Sequence, residues 1–135
     1  KGTDKSINFK LLMKAFENPP SLIIDCANCA DPHTLFGYVS EEQLDSVYVM
    51  NAEAIYRFRD TLLEVPYWAR RLGVNGIFIT TMGALFSYDN EDENHNVIEH
   101  CWEIMKRISE EHAVFVAVDQ RYFLFAEAFA DTKIF

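Results

Sequence analysis

The sequence lacks any long run of apolar residues. No run approaches the roughly 18 residues of a membrane-spanning helix, and the N-terminal segment KGTDKSINFK has no apolar core of a signal peptide. Half of the 135 residues are nevertheless hydrophobic and 14% are aromatic, which is more than a disordered chain carries. We therefore expect a soluble protein with one globular domain over residues 1–135 and no membrane partner.

Cysteine and positive charge are also scarce. The three cysteines are an odd number without the spacing of a disulfide framework, which favours a reducing, cytoplasmic location. Lysine and arginine total 12 against 21 acidic residues, for a net charge of −9. The basic residues of the predicted helices form isolated pairs among acids: Arg57 with Arg59, Arg70 with Arg71, and Lys106 with Arg107. Without a basic face, direct nucleic-acid binding is not expected.

What the sequence does contain is an alternation of apolar strands and amphipathic helices. Strands are predicted over residues 21–26, 47–50, 76–86 and 113–118, and the tail, RYFLFAEAFADTKIF, offers one or two more. Helices are predicted over residues 7–17, 32–38, 52–72 and about 96–112. This alternation predicts βαβ units and an α/β fold in which a mainly parallel sheet lies in a three-layer α/β/α arrangement.

Several residues predict where these elements begin and end. Ser6 is expected to cap the first helix, and Pro19 and Pro20 to end it. Pro66 is expected to kink or restart the long helix, which Gly73 closes. The segment SEEQLDS is expected to be an acidic connector, and SYDNEDENHN a mobile loop whose carboxylates serve solvation.

The stretch SLIIDCANCADPHTLF indicates where a site would lie. Its continuous apolar strand, typical of burial on both faces, ends in Asp25, and Asp31 with Pro32 is typical of a new helix start. In open α/β sheets, ligands bind beyond the carboxyl ends of the strands. We therefore expect any binding site near Asp25.

Cys26, Cys29 and His33 form a CxxC pair followed by a histidine at this position. They supply three of the ligands that a zinc site needs, which Asp25 or Asp31 would complete. A CxxC pair at a helix start also suits redox chemistry. The third interpretation, and the one we favour, is core packing. Elsewhere, Cys101 falls in a helical core stripe, while His95, His100 and His112 share no face suited to a metal.

The order of the motifs resembles the core of the recombinase-like P-loop ATPases, the RecA, RadA and KaiC superfamily. Lys5 and Ser6 stand at a helix start after Gly2, as the P-loop lysine and serine do, and Pro32 follows Asp25 by seven positions, as in RadA-like members. GIFITTMGALF resembles the Walker B strand, VAVDQ with Gln120 the sensor strand end, and DTKIF a late core strand. The resemblance implies a RecA-like topology, with residual ATP and Mg²⁺ binding through Gly2, Lys5, Ser6 and Gln120.

Three positions depart from that family pattern. Asp4 replaces the P-loop glycine, Thr80 falls where the Walker B aspartate would hold Mg²⁺, and Ala27 replaces the water-activating glutamate. Because the sequence starts at Lys1, the first P-loop glycine and its supporting strand lie outside it. The resemblance therefore implies a shortened domain without ATP hydrolysis.

The segment FAEA, with Phe125 and Ala128, resembles the FxxA pattern by which recombinases dock onto one another. With the apolar tail around it, this favours a protein partner or a homo-oligomer. The sequence thus predicts a catalytically inactive RecA-like domain that acts through association, accessory to DNA recombination or repair, with no cofactor. The alternatives are a small ATP-binding protein and a CxxC metal-binding or redox protein.

Overall fold

The computed structural model describes residues 3–31, 35, 37–85 and 91–118, without the side chains of residues 3–5, 84, 91 and 92. The helices are α1 (Thr3–Glu17), α2 (Glu41–Asp45), α3 (Ile55–Leu72) and α4 (Glu91–Ile108). The strands are β1 (Ser21–Asp25), β2 (Val47–Asn51), β3 (Gly76–Ile79) and β4 (Val114–Val116), and a 3₁₀ turn spans Gly83–Leu85. The predicted tail strands lie outside the described residues.

The four strands form one sheet in the order β2-β1-β3-β4, and all three strand pairs are parallel. The register pairs Ile24 of β1 with Met50 of β2 and with Ile79 of β3. The carboxyl ends of β1 and β3 therefore lie side by side. The predicted α/β class and parallel sheet are confirmed.

Helices cover both faces of the sheet. On one face, Leu22, Ile24, Ile77 and Ile79 pack in a buried cluster with α3 and α4. On the other, Ile23 and Phe78 pack with Leu11, Leu12, Ala15 and Phe16 of α1. Successive residues of a strand point to opposite faces, so a continuous apolar strand fills both clusters. The arrangement is compatible with a three-layer α/β/α fold.

Helix α1 begins at Thr3, so the prediction that Ser6 caps it is wrong. Ser6 lies inside the first turns and is exposed. The helix ends at Glu17 before Pro19 and Pro20, as predicted. The sequence pattern placed the start too late because polar residues occupy the first turn, where no apolar stripe marks the helix.

The segment predicted as an acidic connector contains helix α2. The Ser40 hydroxyl accepts the Gln43 N–H at 3.2 Å, and the Gln43 side chain accepts the Ser40 N–H at 2.8 Å. This reciprocal pair is a capping box, and Glu41 and Glu42 lie in the first turn, where the helix dipole favours negative charge. Local capping therefore makes a helix where composition alone suggested a loop.

Helix α3 is a single element from Ile55 to Leu72 with Pro66 inside it, so the helix does not restart at the proline. Gly73 ends it in the left-handed conformation with φ 63°. The spacing of apolar residues predicts a buried stripe of Ile55, Phe58, Leu62, Val65, Ala69 and Leu72. The middle four are buried, together with Thr61, whereas Ile55 and Leu72 at the helix ends are half-buried.

Helix α4 begins at Glu91, five residues before the predicted start, and ends at Ile108 rather than at His112. The acidic segment assigned to a mobile loop therefore supplies its first turns, since acids are favourable at a helix N-terminus. The apolar spacing of this segment predicts six inward-facing residues, and all six are buried: Val97, Ile98, Cys101, Trp102, Met105 and Ile108.

The predicted short helix over residues 32–38 lies largely outside the described residues. Within it, Leu35 is helical and buried, and its N–H donates to the Asp31 carbonyl at 3.2 Å. Among the described helices, none is long and apolar enough to cross a bilayer.

Candidate functional site

The loop after β1 folds around the side chain of Asp25, which is 3% exposed. Its carboxylate accepts the backbone N–H groups of Ala27 at 3.2 Å, Cys29 at 3.0 and 3.1 Å, and Ala30 at 2.8 Å. Asn28, with φ 55°, turns the chain so that these donors converge. Converging N–H groups of this kind form an anion-binding nest, and here the anion is the protein's own carboxylate.

Thr80 closes the other side of Asp25. It follows β3, and its N–H donates to the Ile24 carbonyl at 3.1 Å, which holds it beside the end of β1. Its hydroxyl donates to the Asp25 carboxylate at 3.2 Å and accepts the N–H groups of Cys26 at 2.7 Å and Ala27 at 3.1 Å. Thr80 is fully buried, so these bonds form away from water.

This geometry determines what Asp25 is able to do. A carboxylate enclosed by three N–H groups and a hydroxyl has its acceptor positions directed at its own loop. A general base or metal ligand must instead direct an oxygen at its substrate or ion. The enclosed carboxylate is therefore a structural group that organises residues 25–30.

The two thiols beside Asp25 are held in their neutral form by burial and by the neighbouring carboxylate. Cys26 is 5% exposed, and burial, followed by the Asp25 carboxylate, raises the pKa of its thiol. Burial and then Asp25 likewise raise the pKa of Cys29 to about 12, and its Sγ lies 3.6 Å from a carboxylate oxygen. Because the thiolate is the reactive form of cysteine, these surroundings keep both side chains in their less reactive, neutral form.

Among the described residues, no group of three or more potential metal ligands converges. His33, the third residue of the predicted zinc cluster, lies outside them. Cys101 lies fully buried in the core, as predicted, and His100 is exposed on α4. His95 is also exposed and pairs with Glu99 at 3.6 Å.

Most of the residues predicted to bind nucleotide or to dock onto a partner lie outside the described residues. Lys5 lies in α1, but its side chain is not described, and Ser6 is exposed. Gly2, Gln120, Phe125 and Ala128 are not among the described residues. The predictions made for these residues stay predictions.

A second polar contact at this edge was not predicted from the sequence. The Asn8 side chain donates to the Thr81 hydroxyl at 2.9 Å and accepts the Thr81 N–H at 2.9 Å. Both residues are buried, and the pair ties α1 to the end of β3. The available signal was a polar residue at helical spacing with the buried Leu11, Leu12 and Ala15.

Comparison with protein-family models and with curated protein sequences finds no match to this chain.

Proposed function

We propose that this chain is a catalytically inactive RecA-like domain that acts through association with another protein, in an accessory role in DNA recombination or repair. The observation that carries the inactive assignment is the enclosure of Asp25 by its own loop and Thr80. The family assignment depends on the motif order. The parallel sheet with helices on both faces is compatible with it.

The site at the sheet edge supports this proposal through its chemistry. In P-loop ATPases a carboxylate near the end of the Walker B strand holds Mg²⁺. In this chain the side chain at that position is the Thr80 hydroxyl, whose one proton is directed at Asp25. A neutral hydroxyl that accepts two backbone N–H groups has no charge to offer a metal ion.

The experiment is a titration of Mg²⁺ and ATP monitored by thermal unfolding. A ligand that binds only the native state at 100 times its Kd stabilises a protein by about 2.7 kcal/mol. We expect no change in melting temperature at millimolar ATP. Lys5→Ala tests the residual P-loop position, and Lys10→Ala is its matched control, because Lys10 is an exposed lysine on the same helix.

A rise in melting temperature that Lys5→Ala removes and Lys10→Ala keeps would overturn the proposal. That result would favour the alternative of a small ATP-binding protein.

A further inference from the structure

The outer edge of strand β2 carries backbone N–H and C=O groups that form no hydrogen bonds within the described sheet. The Ser21 N–H donates to the Ser46 carbonyl, and the Ala52 N–H donates to the Asp25 carbonyl. In a parallel ladder, a residue's N–H and C=O point to the same side and alternate residues point to opposite sides. The backbone groups of Val47, Val49 and Asn51 therefore point away from β1.

No described residue bonds to these outward groups. Strand β2 is the last strand on its side of the described sheet. Tyr48 is 39% exposed and Val49 is 41% exposed, whereas Val47 is buried against the core. The edge thus combines directed hydrogen-bonding groups with apolar side chains on both faces.

The composition of the strand VYVMN does not protect its edge from pairing. It contains no proline, no lysine and no charged residue, and Val and Tyr are strong strand formers. Such an edge is suited to the addition of an extended segment from another chain.

The charge around β2 determines which kind of segment fits. No lysine or arginine occurs between Lys14 and Arg57. Exposed acids lie on both sides of the strand: Glu41, Glu42 and Asp45 in α2 precede it, and Glu53 follows it. A segment that pairs with β2 therefore meets negative charge at both ends.

A second copy of this chain fits the edge poorly. Antiparallel pairing of two β2 strands centred on Val49 would bring the acidic flanks of the two copies together, with Asp45 of α2 from one copy towards Glu53 of the other. Like charges brought together across an interface disfavour that pairing. An apolar segment with lysine or arginine at its ends would instead place opposite charges there.

We propose that the β2 edge binds an extended segment of a partner protein, in which strand-forming residues alternate and basic residues flank them. This inference rests on the proposed function only in that association is the protein's activity.

The probe is a labelled synthetic peptide that alternates valine and threonine and carries lysines at both ends, with binding measured by fluorescence anisotropy. Its matched controls carry glutamates at the ends, or N-methyl groups on alternate amides. We expect the lysine peptide to bind about tenfold or more tightly than either control, because one lacks complementary charge and the other lacks ladder hydrogen bonds.

The protein variants test the same surface from the other side. Val49→Pro removes one outward N–H and should weaken binding of the lysine peptide about tenfold, whereas Val49→Thr keeps the N–H and should bind like the original chain. Asp45→Lys combined with Glu53→Lys should reverse the preference between the lysine and glutamate peptides. The charge variant and the N-methyl peptide test binding at the β2 edge even if Val49→Pro does not fold.

Equal binding of the lysine and glutamate peptides, or no effect of N-methylation, would overturn the inference. So would a concentration-dependent dimer that Val49→Pro abolishes, because a second copy would then occupy the edge. These outcomes are independent of the ATP titration. If the peptide test fails and ATP does not change the melting temperature, this inference is wrong, whereas the proposal of a catalytically inactive domain still holds.

Discussion

At the scale of single residues, Thr80 determines what the end of the sheet can do. Its hydroxyl serves one acceptor and two donors at once, and it lies where no water reaches. The Cys26 N–H donates to this hydroxyl, whereas the Ala27 N–H also donates to the Asp25 carboxylate. Removing the hydroxyl leaves the buried Cys26 N–H without this acceptor and takes one hydrogen bond from Asp25, which costs more than the loss of an exposed hydrogen bond.

We predict that Thr80→Val lowers the free energy of unfolding by about 2–3 kcal/mol, because valine has the same shape but neither donates nor accepts. Urea denaturation measures this change. Thr80→Ser keeps the hydroxyl and should lose less. Thr61→Val, another buried threonine, is the matched control and should change stability by less than about 1 kcal/mol. Equal losses in Thr80→Val and Thr61→Val would contradict the role assigned to the Thr80 hydroxyl.

At the scale of elements, the helices differ in how they are held. Helices α3 and α4 pack through apolar stripes that recur at helical spacing. Helix α1 adds a polar contact, the Asn8–Thr81 pair, which fixes its position along the end of β3. An apolar stripe allows a helix to slide or rotate slightly, whereas two buried hydrogen bonds specify one position.

We predict that Asn8→Leu lowers the free energy of unfolding by about 2 kcal/mol, because the Thr81 N–H would then be buried without an acceptor. Thr81→Val should also destabilise the fold. The double variant should lose less than the sum of the two, with a coupling of about 1 kcal/mol in a double-mutant cycle. Lys10→Ala, on the exposed side of α1, is the control. Strictly additive losses would show that the pair does not act as a unit.

At the scale of the whole molecule, burial in the assembled fold raises the pKa of all three thiols. Burial raises the pKa of Cys101 to about 12, although Arg59 acts in the opposite direction. Cys26 and Cys101 belong to one cluster, built from β1, β3, α3 and α4. Unfolding exposes these thiols and returns their pKa toward the ordinary value of 9.0.

The sign of the resulting pH dependence follows from the raised pKa. The stability due to the neutral thiols is fully present below the unfolded pKa and is lost as pH rises from about 9 toward 12. We therefore predict that the free energy of unfolding in reducing buffer falls over this range, by at most about 1.4 kcal/mol per pH unit for each thiol. Cys101→Ala should make the slope shallower. An unchanged slope in that variant would contradict the prediction.

Much of the fold could be predicted from the sequence because the information is local. Continuous apolar strands such as Leu22–Ile24 indicate burial on both faces, and the spacing of Phe58, Leu62 and Val65 indicates one buried helix face. The predictions of secondary structure were wrong where the composition of a segment suggested a loop but its local interactions favour a helix. Acidic residues at the starts of α2 and α4 suggested loops, but capping and the helix dipole favour helices there.

For the candidate site, too, the sequence predicted one part and only the tertiary structure determined the other. Position along the chain was enough to place Asp25 at the end of a parallel strand, since every residue involved is close in sequence. That Thr80 and the loop N–H groups enclose its carboxylate depends on contacts across 55 positions, which only the pairing of β1 with β3 creates. The place of β2 at one side of the described sheet likewise follows from strand order, which only the assembled sheet determines.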